Sequence, residues 1–124
     1  MTLSDDYLVR RVRDHWVVVG PTGLFVVGRC QADPAACVRT TTGLALELRN
    51  RLADVVSWVP FVEPVVVSDG EHTDPDCTVV RVTDLETALT AGPHVVGDVD
   101  LGILRHHVPG VAQAMDLEQA TFPA

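Results

Sequence analysis

The side chains best able to act as nucleophiles or soft-metal ligands in this 124-residue chain are three cysteines, Cys30, Cys37 and Cys77, and five histidines. Cys30, Cys37, Cys77 and His72 could surround zinc, whose preferred donors are thiolate and imidazole. Their spacing matches no compact zinc pattern and contains no Cys-x-x-Cys, and an odd set cannot pair fully within one chain. Three small reduced thiols, buried or in loops, are the favoured reading. Cys30 could instead be a nucleophile served by His15, which requires the imidazole within hydrogen-bond reach of the thiol. Nothing in the spacing orients such a pair. His106 and His107 are adjacent on an expected helix, where neighbours diverge by about a third of a turn, so solvated or capping roles are favoured over a shared ion. Asp69, Glu71, Asp74 and Asp76 form an acidic stretch that could attract a hard cation. Its order does not match a calcium loop with its required glycine and distal glutamate, and a solvated loop is favoured.

Asp14 lies within a valine-rich run and has two readings. It could be a ligand for a divalent cation, or a strand-end carboxylate bonded to amides of the adjacent turn, the second being favoured. Arg10, Arg11 and Arg13 form the one positive cluster. They could meet an acidic partner or a phosphate, and a charged edge strand that discourages aggregation explains them equally well. All nine cationic residues are Arg and none is Lys, and with abundant Val and Ala this points to a GC-rich genome. The formal net charge of −8 opposes a nucleic-acid partner, because affinity for a phosphate backbone comes from neutralising it with Lys and Arg.

These residues must be positioned by a globular fold. Apolar residues make up 47% and charged residues 21% of the chain, a folding composition rather than a disordered one. The length suits one domain over residues 1–124 that buries roughly two-thirds of its unfolded surface. No basic start with a long apolar run precedes the first strand, and no window is apolar for long enough to cross a bilayer. A soluble cytoplasmic protein with no membrane contact is expected.

Residues 8–19 alternate well enough for one long strand or two short ones, with the even-numbered face buried despite Arg10. Gly20-Pro21-Thr22-Gly23 predicts a tight turn, and residues 24–27 a returning strand. Residues 31–38 read as a loop. Thr40, Thr41 and Thr42 offer N-cap hydroxyls to an amphipathic helix over about 42–56, with Leu44, Ala45, Leu48 and Leu52 on its apolar side. Beyond Pro60 and Pro64, Val65-Val66-Val67 predicts an interior strand and residues 78–82 another. Thr83 and Glu86 match a capping box for a short helix to about residue 89. Residues 99–116 are helical in pattern, with Pro109 kinking the element or beginning a second helix. The expected order is β-β-α-β-β-α-α, an α/β domain with a central mixed sheet flanked by helices.

The segment Asp14-His15-Trp16-Val17-Val18-Val19-Gly20-Pro21-Thr22-Gly23-Leu24-Phe25-Val26-Val27 resembles the central motif of the nuclease-related domain (NERD) family. That family is similar to the restriction-endonuclease-like PD-(D/E)XK superfamily. Its pattern runs Asp-His, a valine-rich strand, Gly-Pro-x-Gly, an apolar strand, then Glu-x-Lys. The resemblance spans roughly residues 8–90 and includes the helix near 42–56 and the strand at 64–67. It implies a restriction-endonuclease-like fold and a site in which an Asp and a Glu hold a divalent cation while a Lys orients the nucleophile or stabilises the transition state.

Here Asp14 takes the Asp position on the apolar face of its strand, Gly28 the Glu position and Cys30 the Lys position. Glycine offers no ligand, and a thiol is neither a cation nor a preferred magnesium ligand. The chain holds no Lys that could migrate into the site, and alternation points Arg29 to the opposite face. The expectation is a degenerate, non-catalytic member, without a cofactor, acting as a binding, regulatory or accessory subunit. The family's usual helix before the first strand is missing, which would leave an apolar face bare and favours a protein partner or a homo-oligomer. Two alternatives remain. One is a divergent metal-dependent DNA nuclease using Mg2+ with Asp14 as a ligand, and the other is a small metal-binding or homo-oligomeric module.

Overall fold

A computed structural model of the chain describes residues 3–30, 33–56, 61–68, 75, 77–108 and 110–112. The run expected over residues 8–19 is divided at Arg13, whose φ of 56° is left-handed, giving strands β1 (Leu8–Val12) and β2 (His15–Gly20). They pair antiparallel with Val12 opposite His15. That register inverts the parity across the turn, so Leu8 and Val12 pack with Val17 and Val19, while Val9 packs with Trp16 and Val18. The single even-numbered buried face expected here is therefore corrected. Asp14 is corrected with it, since it lies in the turn and not on a strand face.

Strand β3 (Gly23–Arg29) returns antiparallel to β2. Pro21 and Thr22 form the tip as the sequence predicts, and Gly23 accepts a φ of 138° that side-chain-bearing residues rarely adopt. Helix α1 (Pro34–Leu52) starts well before the threonines. Asp33 is its N-cap, its carboxylate accepting from the Ala35 amide at 3.1 Å, and Pro34 supplies the preset φ of a first helical residue. The loop expected over 31–38 and the threonine N-cap are both corrected by this start.

Strand β4 (Val62–Val67) lies parallel to β3, and β5 (Thr78–Val80) lies parallel to β4. Val65, Val66 and Val67 occupy an interior strand, as predicted, and Pro64 is part of that strand. A 3₁₀ turn over Val82–Asp84 leads into α2 (Leu85–Thr90). No side chain caps either element, so the expected Thr83–Glu86 capping box does not form. Thr83 lies inside the 3₁₀ turn, which bonds the Asp84 amide to the Arg81 carbonyl and the Leu85 amide to the Val82 carbonyl, so Thr83 does not stand at the N-cap of α2.

Helix α3 (Asp98–His107) ends at Val108, whose extended backbone suits the residue before a proline. The chain then forms β6 (Val111–Ala112) against β1, so the helix expected to reach residue 116 stops earlier. The sheet order is β5-β4-β3-β2-β1-β6, with five main strands and the two-residue β6. This mixed sheet with flanking helices is the α/β class expected, with one strand added by the division at Arg13 and one by β6.

One face of the sheet, bearing Val17, Val19, Leu24 and Val26, is covered by α1 through Leu44, Leu48 and Leu52 and by α3 through Leu101 and Leu104. The other, bearing Trp16, Val18, Phe25, Val27 and Val65, is covered by Leu85 and Leu89 of α2, with Leu3 and Tyr7 beside them. Both faces of the sheet thus carry cover among the described residues. Among the described residues no helix is long and apolar enough to cross a membrane.

Candidate functional site

The positions singled out by the nuclease-like motif meet where β2 begins and β3 ends. The Asp14 carboxylate lies 2.8 Å from Nδ1 of His15, and Nε2 of His15 lies 3.0 Å from Oγ1 of Thr41. An ionised carboxylate only accepts, so this bond puts a proton on Nδ1, and a neutral ring then accepts the Thr41 hydroxyl at Nε2. His15 is 5% exposed and Thr41 fully buried, whereas the Asp14 side chain is 48% exposed. Burying two polar groups is costly unless each is bonded, and here each satisfies the other.

Acid, imidazole and hydroxyl stand in the order of a nucleophilic triad. The hydroxyl, however, is buried in the layer between α1 and the sheet. A β-carbon built on Gly28 would lie 2.5 Å from Thr41 Oγ1 and 2.9 Å from Cδ2 and Nε2 of His15. No room remains over Gly28 for a methyl group, still less for a substrate carbonyl. The three residues therefore bridge the β1–β2 turn to α1 and close the space a metal-binding glutamate would occupy.

Cys30 follows β3, its amide donating to the Val67 carbonyl at 2.8 Å. It packs with Cys37, Val38, Val66, Cys77 and Val79 in a small cluster. Burial pushes the Cys37 thiol up to about 12, and a hydrogen bond with Cys30 and the nearby Asp14 and Cys77 push the same way. Zinc and nucleophilic chemistry both need thiolate, which these surroundings oppose at Cys37. Both ring nitrogens of His15 are engaged by Asp14 and Thr41, so the proposed pairing of His15 with Cys30 is not the one formed.

Cys30, Cys37 and Cys77 form no disulfide among the described residues. Among the described residues no three His, Cys, Asp or Glu side chains converge as a metal site. His72, Asp69, Glu71, Asp74 and Asp76 lie outside the described residues.

The arginine cluster is engaged within the fold. Arg11 stacks over the Trp16 ring at 5.1 Å and donates to the Arg13 carbonyl, Arg10 reaches the Gly110 carbonyl, and Arg13 pairs with Glu47 at 3.4 Å. Since β6 pairs with β1 beside Arg10 and Arg11, the arginines are not on a fully open edge strand. His106 and His107 are exposed on α3, and His107 Nδ1 donates to the Ile103 carbonyl at 2.9 Å, the local capping role favoured from sequence.

Thr41 was missed as a member of this corner, because a threonine triplet read as an N-cap hides a buried hydroxyl in mid-helix. The available signal was Asp33-Pro34, which moves the helix start and puts Thr41 three residues before Leu44 on the buried side. Glu63, an acid inside an otherwise apolar strand, was also passed over. Comparison with family models, curated proteins and solved structures finds nothing that matches this chain.

Proposed function

We propose that this chain is a non-catalytic nuclease-related domain, restriction-endonuclease-like in lineage, that acts by binding as a regulatory or accessory subunit. Its partner is a protein or a second copy of the chain. The observation that carries this reading is the packing of His15 and Thr41 over Gly28, where catalysis would require an open metal site. The net charge of −8 without a single Lys argues against DNA as the partner. Three cysteines that form no disulfide accord with work in the reducing cytoplasm.

The test is a calorimetric titration of metal-free protein with magnesium and manganese, beside a DNA-cleavage assay and the Asp14→Ala variant. No specific metal binding and no cleavage are expected, together with a concentration-dependent oligomer or a captured protein partner. Metal binding and cleavage that both vanish in Asp14→Ala would restore the nuclease.

A further inference from the structure

At the other end of β3 from Gly28, the N-terminal ends of β3 and β4 open onto a cleft of about 430 Å3, lined in part by Leu24, Phe25, Phe61, Glu63, Val95 and Val96. That volume falls within the range of small-molecule sites. Of the lining residues Leu24, Phe25 and Val96 are buried, while Phe61 is 72% and Val95 66% exposed. The segment between α2 and α3 is tied down, because the amides of Val95 and Val96 both donate to the Pro21 carbonyl, at 2.8 and 3.1 Å.

Glu63 supplies the charge in this largely apolar lining, to which Thr22 also contributes. It stands opposite Phe25 in the β3–β4 register, so the carboxyl and the aromatic ring share one face of the sheet. Thr78 of β5 hydrogen-bonds its side chain, and burial still pushes its pKa up. Among the described residues no Arg or His forms an ion pair with it, and the chain has no Lys to offer. A half-buried carboxylate without a cation, walled by aromatic and branched side chains, is complementary to a cation carried on an apolar body. The faces of Phe25 and Phe61 would add to that preference, since a ring quadrupole attracts an ammonium.

We propose that this cleft is a binding site for a small organic amine, an ammonium group attached to a compact aromatic or branched aliphatic body. The ammonium meets Glu63 and the body lies against Phe25 and Phe61. The site is separate from the Gly28 corner and does not depend on how that corner is read.

The test is an amide-resolved NMR titration of the full chain with 2-phenylethylamine, repeated with the neutral 2-phenylethanol and with 3-phenylpropionate. The amine should bind with a dissociation constant of roughly 1 mM or tighter, shifting amides at residues 22–25, 61–63 and 95–96. The alcohol and the acid should bind at least about tenfold more weakly. Glu63→Gln should lose about tenfold in amine affinity while leaving the alcohol unchanged. Phe61→Ala, at an exposed position, should weaken both ligands without disturbing the fold.

Equal affinities for the three probes, no saturable shifts with the amine, or an unaltered Glu63→Gln would each overturn the proposal. So would concentration-dependent shifts of the same amides without ligand, which would assign the cleft to a second copy of the chain.

Discussion

The imidazole of His15 occupies the space a β-carbon at Gly28 would need, its Cδ2 and Nε2 each 2.9 Å from that position. Glycine at 28 is therefore a packing requirement of the β2–β3–α1 layer. The nearest obstacle of all is Thr41 Oγ1, at 2.5 Å.

Gly28→Ala is expected to destabilise the fold by about 1–3 kcal/mol, the usual cost of forcing a methyl group into a filled layer. Denaturant unfolding measures it. Removing the Thr41 hydroxyl and methyl should relieve the clash, so Gly28→Ala combined with Thr41→Ala should cost less than the sum of the single changes. Strict additivity would show that the layer does not press on residue 28.

Thr41→Val keeps the volume of the side chain but leaves Nε2 of His15 buried without its partner. A loss of about 1–3 kcal/mol is expected from the stranded polar atom. Asp14→Asn, which retains an acceptor for Nδ1 at a position 48% exposed, should cost less than Thr41→Val. The reverse ranking would move the weight of the network to its exposed end.

With the Cys37 thiol pushed up to about 12, the folded state holds this proton where the unfolded chain has released it. The contribution is fully present below the ordinary value of 9.0 and is lost as pH rises through the folded value of about 12. Unfolding midpoints should accordingly fall between those limits more steeply in the native protein than in Cys37→Ala. At pH 8, alkylation of Cys37 followed by mass spectrometry should be slow in the folded protein and fast after denaturation.

Burial also raises the pKa of Glu63, despite the opposing hydrogen bond from Thr78. The folded state therefore favours the neutral acid, and stability falls as pH rises from 4.5 through the folded value. Glu63→Gln should raise the melting temperature at neutral pH, and the gain should vanish once the native carboxyl is protonated in both states. A gain that persists unchanged in acid would place its origin in something other than charge burial.

Much of the architecture follows from local rules. The Gly20-Pro21-Thr22-Gly23 turn forms where its residue types require, the β4 valines are interior, and α1 buries Leu44, Ala45, Leu48 and Leu52 at the predicted spacing. The errors are also local in origin. Asp33-Pro34 is a stronger start signal than the threonine triplet, and α3 already ends at His107 with Val108 as its C-cap. The turn at Arg13 was the costliest omission, because one unrecognised reversal exchanges the faces of every residue on one side of it.

By itself the amino-acid sequence determined the chemistry that residue types forbid. Glycine at 28 and cysteine at 30 offer neither an acid nor a cation at those positions whatever the fold, and the chain has no Lys. It also determined the α/β alternation, since apolar period and turn residues act over a few neighbours. Only the tertiary structure decided that Thr41 reaches His15 across 26 residues, that their pair fills the space over Gly28, and that Glu63 lines an apolar cleft with Phe61 and Val95. Those contacts join separate elements, and their geometry depends on strand register and on the docking of α1, which no local pattern encodes.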